Sequence, residues 1–285
     1  MSEPGKVAVI GGGTMGNGIA HVFAQHGWDT VLIDVSRDQL ARALATIKGN
    51  TERQVGKGTL TEDARQHLLD RISIQTSLDV AHDAKLVVEA ATENPAIKFT
   101  IFRDLSRICR ATTILASNTS SISINEIAKH TDRPEQVIGM HFMNPVPVMT
   151  LVEIVRGKRT AKEILDRTVE ISKSLGKMPV VVKDSPGFVS NRILMPMINE
   201  AIYCVQDGIA DAEGVDAIMK YGMRHPLGPL ALADLIGLDV CLAIMKVLQD
   251  GLDKHKYTPA PLLEKMVADG KLGRKSGAGF YVYRD

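Results

Sequence analysis

The sequence predicts an α/β protein in two parts: a mainly parallel, doubly wound sheet carrying a helical hairpin, then an all-helical unit. Three observations predict it. Short β-branched runs alternate with helical patterns through the first two thirds of the chain, the rhythm of strand–helix–strand units. A glycine-rich run follows the first strand and opens the first helix. After Val182 the strand pattern stops, and helical periodicity continues to about Asp269.

In chain order, strands are expected at Lys6–Ile10, Thr30–Ile33, Ile72–Thr76, Lys85–Ala90, Thr113–Ser117, Val137–Phe142, Leu151–Val155 and Pro179–Val182. Helix starts between them carry capping boxes, a hydroxyl followed three residues later by Glu or Gln: Ser36 with Gln39, Ser123 with Glu126, Thr160 with Glu163. Arg37 to Arg71 is long for one crossover helix and is broken by Gly56-Lys57-Gly58, so two helices projecting from the sheet are expected. Lys183-Asp184-Ser185-Pro186-Gly187 is a turn and the expected boundary between domains 1–184 and 185–285. Beyond it, Leu227 to Leu248 resembles a membrane span but is interrupted by Asp234 and Asp239, so a buried or interface helix is expected. Met195, Met197, Ile198, Ile202, Val205 and the Leu230–Leu248 stretch supply more apolar surface than a roughly 100-residue helical unit hides alone. A homodimer through this half follows.

The 285 residues suit two domains. With 34 Lys plus Arg against 33 Asp plus Glu, the net charge of +1 provides no field to draw the protein to nucleic acid or an anionic membrane. Apolar content of 45% with 24% charged residues excludes disorder as the main state. Cys109, Cys204 and Cys241 form no C-x-x-C pair, which argues against a disulfide framework or a metal site and for a reducing compartment. The N-terminus has neither a secretory nor a transit pattern, so a cytoplasmic protein is expected.

The run Gly11-Gly12-Gly13-Thr14-Met15-Gly16 carries the G-x-G-x-x-G spacing at Gly11, Gly13 and Gly16. Gly11 permits a tight turn, Gly13 lets a pyrophosphate approach the backbone, and Gly16 allows close helix packing. Eighteen residues on, Asp34 ends the second strand, where a carboxylate can bond a ribose 2′-hydroxyl and repels a 2′-phosphate. The pattern reads as dinucleotide binding, with NAD favoured over NADP, although Arg37 is close enough to take a phosphate. Val87–Asn94 and Ser117–Ser121 both follow strands, where open α/β sheets bind ligands; Ser121 and Ser123 could equally cap a helix.

The segment from Gly139 to Glu153 is the most informative. His141 ends one strand, Pro145 and Pro147 force an extended turn, and Glu153 lies in the next strand among Leu151, Val152, Ile154 and Val155. A carboxylate in that setting needs a partner, and an imidazole across the connection is a suitable one. A histidine held this way is a general base.

On these residues the sequence resembles the 3-hydroxyacyl-CoA dehydrogenase family over nearly its whole length, most like the members that act on 3-hydroxybutyryl-CoA. The resemblance rests on the glycine run, Val88-Glu89-Ala90, Glu93-Asn94, Ser117–Ser121, the His141–Glu153 segment, Asp184–Arg192, His225-Pro226-Leu227-Gly228-Pro229 and Lys275–Tyr281. It implies a Rossmann-type domain with a helical hairpin at about 37–71, followed by a helical dimerisation domain. It also implies NAD-dependent, reversible oxidation of an (S)-3-hydroxyacyl-CoA to the 3-ketoacyl-CoA. His141 would be the catalytic base, Glu153 its orienting partner, and Ser120 and Asn191 the residues that bond the reacting oxygens. Gly11, Gly13, Thr14, Met15, Gly16, Asp34, Glu93, Lys98, Ser120, Asn144 and Lys275 match cofactor-contacting positions. Asn50, Arg53 and Lys57 on the hairpin are the coenzyme A candidates. At this length a fused enoyl-CoA hydratase is not expected. Two rivals are a non-catalytic NADH-binding structural or sensor protein, and a 6-phosphogluconate-type 3-hydroxyacid dehydrogenase using Lys183 or Lys220.

Overall fold

A computed structural model describes residues 4–283. It divides into two compact units, Met1–Asp184 and Ser185–Asp285. The first holds strands β1 (Lys6–Ile10), β2 (Asp29–Ile33), β3 (Ile72–Gln75), β4 (Leu86–Glu89), β5 (Ile114–Ser117), β6 (Val137–Phe142), β7 (Leu151–Arg156) and β8 (Met178–Lys183). Its helices are α1 (Thr14–Gln25), α2 (Arg37–Gly56), α3 (Glu62–Asp70), α4 (Pro95–Ile108), α5 (Ile124–Lys129) and α6 (Lys162–Ser174).

All eight expected strands are present, each within a residue or two of the expected ends. They form one sheet in the order β3-β2-β1-β4-β5-β6-β7-β8. Every pairing is parallel except β6 with β7. Strands such as Val7-Ala8-Val9-Ile10 and Leu86-Val87-Val88 are apolar without alternation because helices cover both faces of a parallel sheet. The chain winds outward from β1 to β3 and then returns to lay β4 on the other side of β1. The reversal opens a crevice beyond the carboxyl ends of β1 and β4.

The hairpin forms as the glycine break predicts. α2 ends at Gly56, Gly58 takes φ +69°, and Thr61 Oγ1 accepts the Ala64 N–H at 3.2 Å to start α3. Leu40, Ala43 and Ile47, spaced at three and four residues along α2, and Leu68 of α3 are its buried apolar residues.

Two capping expectations need correction. Ser36 caps α2 by accepting the Gln39 N–H at 3.2 Å, but Gln39 does not reach back; its amide donates to the Gly12 carbonyl at 2.8 Å. Thr160 caps nothing: Ala161 precedes α6, and the buried Thr160 hydroxyl accepts Gly157 N–H and donates to the Val137 carbonyl. That hydroxyl meets a backbone carbonyl at the start of β6, a partner more than twenty residues away that no local pattern reveals. Ser123 does cap α5, and Ser121 does not cap a helix.

The second unit holds α7 (Ser190–Gln206), α8 (Ala212–Ala217), α9 (Pro229–Ile236), α10 (Leu238–Gly251) and α11 (Pro261–Ala268) around Met195, Ile198, Ile202, Leu230, Met245 and Leu248. The expected single helix through Leu227–Leu248 is instead two, broken at Gly237 with φ +105°, a conformation that side chains disfavour. Among the described residues, no helix is long and apolar enough to cross a membrane. Two buried aspartates organise the unit. Asp216 accepts the Leu230 and Ala231 N–H groups at the start of α9 and the Tyr281 hydroxyl. Asp234 accepts the N–H groups of Phe280 and Tyr281 and the Tyr283 hydroxyl. Buried carboxylates are tolerable when surrounded by donors in this way.

Candidate active site

β6 and β7 run antiparallel with His141 directly opposite Glu153. Both are nearly buried, at 5% and 2% exposure, and His141 Nδ1 lies 2.8 Å from Glu153 Oε2. An ionised carboxylate only accepts, so Nδ1 carries the ring hydrogen and Nε2 presents its lone pair. Ser120, on the loop after β5, places its Oγ 3.0 Å from that Nε2. A hydroxyl, an imidazole and a carboxylate therefore stand in line at the carboxyl end of the sheet. The same loop is tied to β6 a second time, because Asn118 Oδ1 accepts the Phe142 N–H at 2.9 Å.

The loop is held from below by Glu93, which accepts the Ser120 N–H at 2.6 Å and the Thr119 hydroxyl at 2.8 Å. Lys98 is 2% exposed and donates to both oxygens of Glu89, at 2.7 and 2.5 Å, with Glu93 Oε2 3.9 Å away. Its charge is thus already matched inside the protein. A small cavity of about 170 Å³ has Met15, Glu93, Lys98, Asn118, Thr119 and Ser120 in its wall.

The glycine turn meets the requirements of a pyrophosphate cradle. Gly11 has φ +102°, and a Cβ there would lie 2.6 Å from the Ala90 carbonyl oxygen. A Cβ on Gly16 would lie 1.7 Å from the Gly11 carbonyl oxygen, so α1 can start this close only with glycine. A Cβ on Gly13 would meet nothing within 4 Å, leaving open the path to the backbone N–H groups at the start of α1. Asp34 Oδ2 accepts the Gly12 N–H at 2.7 Å and Oδ1 the Ser36 N–H at 2.9 Å, which aims the carboxylate across the turn. Each oxygen keeps a second lone pair for a ribose hydroxyl. Beside it lies a cavity of about 330 Å³, walled by Gly11, Asp34, Leu78, Ile97 and Ile101, apolar where a flat base would sit and acidic at one edge. The turn, the carboxylate and the slot fit an adenine dinucleotide.

Residues 6–185 match the family described as 3-hydroxyacyl-CoA dehydrogenase, NAD binding domain, and residues 187–283 match the C-terminal domain of the same family. The chain belongs to the 3-hydroxyacyl-CoA dehydrogenase family. It is 54% identical to a probable 3-hydroxybutyryl-CoA dehydrogenase of Deinococcus radiodurans, over 98% of this chain and 100% of that one. It is 53% identical to the 3-hydroxybutyryl-CoA dehydrogenase of Bradyrhizobium diazoefficiens, over 98% and 95%. The crystal structure of (S)-3-hydroxybutyryl-CoA dehydrogenase from Ralstonia eutropha superposes with a TM-score of 0.95 at 48% identity, covering 98% of this chain and 99% of that one.

As a 3-hydroxyacyl-CoA dehydrogenase with an NAD binding domain, the chain uses NAD as its cofactor. The structure brings Ser120, His141 and Glu153 together, and places Met15, Glu93 and Lys98 around the adjoining cavity. Thr14 and Asn144 are exposed, and the Asn144–Pro145 bond is cis. On α2, Arg53 donates to Asn50 Oδ1, and Lys57 is exposed just past the helix end. In the second unit, Asn191 is buried in the first turn of α7, and Lys275 pairs with Asp239 at 2.5 Å. Of the lysines considered for a rival mechanism, Lys183 ends β8 and Lys220 lies over the Tyr221 ring. The contact of the Ser117 hydroxyl with Glu89 is not evident from the sequence, where a glutamate closing the apolar strand Leu86-Val87-Val88 is its one signal.

Proposed function

We propose that this protein catalyses the reversible, NAD-dependent oxidation of a short-chain (S)-3-hydroxyacyl-CoA, 3-hydroxybutyryl-CoA above all, to the 3-ketoacyl-CoA. The observation that carries the reading is the Ser120–His141–Glu153 line, with Nε2 facing the Ser120 hydroxyl. The names of the relatives support the acyl length.

In the oxidation, His141 Nε2 takes the proton of the C3 hydroxyl as the C3–H bond breaks and its electron pair departs as hydride, turning C3–O into a carbonyl. NAD, when bound, supplies the hydride acceptor. Glu153 stabilises the imidazolium, and Ser120 Oγ bonds the reacting oxygen beside Nε2. In the reverse direction the imidazolium returns its proton to that oxygen. Gly11, Gly13, Thr14, Met15 and Gly16 would hold the pyrophosphate, Asp34 the adenosine ribose, and Glu93, Lys98, Asn144 and Lys275 further parts of the cofactor. Asn191 is assigned to a reacting oxygen of the substrate by its motif. The cations Arg53 and Lys57, with Asn50, would meet the phosphates of coenzyme A.

A homodimer through the second unit belongs to the same reading. It is supported by an apolar groove of about 430 Å³ walled by Met197, Ala201, Ile209, Val215 and Met219, and by exposed Ile218, Tyr221 and Met223. Light scattering behind size exclusion tests it. The three free cysteines support a cytoplasmic location. The activity is tested by initial rates with acetoacetyl-CoA and longer 3-ketoacyl-CoAs, using NADH and NADPH in turn. His141→Gln should bind NADH like the wild type yet lose about a hundredfold or more in kcat, the usual worth of a general base. A variant with near wild-type kcat would overturn the assignment, and an inactive wild type would favour a binding protein.

A further inference from the structure

The site depends on a loop, residues 118–121, which is tied to β6 by the Asn118–Phe142 bond, and two further holds on it lead back to one buried ion pair. Glu89, fully buried at the end of β4, accepts four hydrogen bonds: two from Lys98 Nζ, one from the Ser117 hydroxyl at 2.8 Å and one from the Ala91 N–H at 2.9 Å. From it run two arms. In the first, the Ser117 oxygen accepts the Thr119 N–H at 3.3 Å. In the second, Lys98 stands 3.9 Å from Glu93, which grips Thr119 and the Ser120 backbone. Both arms end on the loop whose Ser120 Oγ meets His141 Nε2.

We infer that Glu89 is a positioning residue: by satisfying Lys98 it leaves Glu93 free to hold the Ser120 loop, and so fixes the hydroxyl at the catalytic imidazole. The physical reason is competition for a buried cation. An ammonium deprived of its partner in a low-dielectric interior must find another carboxylate. Glu93 is the nearest, and a movement of about 1 Å would bring it into hydrogen-bonding distance. Glu93 would then leave the Ser120 N–H and Thr119, and the Ser120 oxygen would lose its alignment with Nε2. Misplacement on that scale costs up to about a hundredfold in rate without touching the reacting atoms. Glu89 itself contacts neither substrate nor cofactor in this scheme. The inference rests on the dehydrogenase reading for its kinetic arm only.

The test is Glu89→Gln, nearly isosteric but unable to neutralise Lys98, measured alone and with Glu93→Gln. Expected are a loss of about tenfold to a hundredfold in kcat for acetoacetyl-CoA reduction and an acetoacetyl-CoA KM within about twofold of wild type, since the coenzyme A candidates Asn50, Arg53 and Lys57 are untouched and the misaligned Ser120 acts chiefly in the transition state. If Glu89 acts through Glu93, the double variant is no slower than the worse single variant. Multiplying losses, or an unchanged kcat in a folded Glu89→Gln protein, would overturn the inference. A second readout needs no turnover: in 15N-labelled protein the His141 ring nitrogens should shift in Glu89→Gln, and an unmoved Nε2 resonance refutes it even if the wild type proves inactive on acyl-CoAs. Should Glu89→Gln fail to fold, Ser117→Ala cuts the first arm at the cost of one neutral hydrogen bond. That variant should lower kcat severalfold at constant KM, and wild-type kcat would count against the scheme.

Discussion

Replacing Glu153 by glutamine isolates the charge opposite His141 from its shape. The carboxylate oxygen lies 2.8 Å from Nδ1 in a nearly buried pair, which puts the charge centres of carboxylate and imidazolium about 4 Å apart. At an effective dielectric of about 20 their attraction is about 4 kcal/mol, present when His141 holds the substrate proton and absent when it does not. The amide keeps a neutral hydrogen bond worth about 1 kcal/mol. The difference, about 3 kcal/mol, corresponds to a loss of roughly a hundredfold in kcat. The amide can also turn its N–H toward Nδ1 and force the ring hydrogen onto Nε2, which deepens the loss. The assay is the initial rate of acetoacetyl-CoA reduction, with NADH affinity and melting temperature measured beside it. NADH affinity should stay near wild type, because the glycine turn and Asp34 follow β1 and β2, away from β7, and the melting temperature checks that the near-isosteric variant is folded. A loss below threefold, or one explained by weaker NADH binding, would refute the electrostatic role of Glu153.

Two further substitutions test other parts of the fold. Gly13→Ala should fold normally and weaken NADH binding at least tenfold, because its methyl enters the open cradle; Gly16→Ala, colliding with the Gly11 carbonyl, should lose about 1–3 kcal/mol of stability in denaturant titration. Equal melting temperatures for the two would count against this account of the turn. Burial holds His21 below its ordinary value of 6.5, against the opposing pull of the neighbouring Gln54 and Gln25 side chains. The unfolded chain therefore takes up this proton first, so the stability that depends on neutral His21 is full above about pH 6.5 and falls as the pH drops toward the lowered value. Urea titrations at pH 7.5 and 5.5 should show His21→Leu losing less stability on acidification than the wild type, and parallel losses would refute it.

Local chemistry explains how much of this molecule was legible in the sequence. The strands show as apolar runs because a doubly covered parallel sheet tolerates little else. The glycine turn shows because only glycine suits φ +102° at residue 11 and a 1.7 Å approach at residue 16. His141 and Glu153 are twelve residues apart across a proline-bearing connection, close enough for their pairing to be inferred before any coordinates.

What lay beyond the sequence depended on partners brought from afar. Thr160 reads as a helix cap until β6 is beside it, and the apolar stretch after Leu227 reads as one helix until Gly237 breaks it. Asp234 looks like an interruption in an apolar run, yet it anchors the N–H groups of Phe280 and Tyr281 more than forty residues later. The sequence by itself determined the fold class, the glycine turn and the His141–Glu153 pair, because each is set by residues near in the chain. Only the tertiary structure decided that Lys98 is spent on Glu89, and that Glu93 holds the loop of Ser120, since a buried charge chooses its partner by proximity in space.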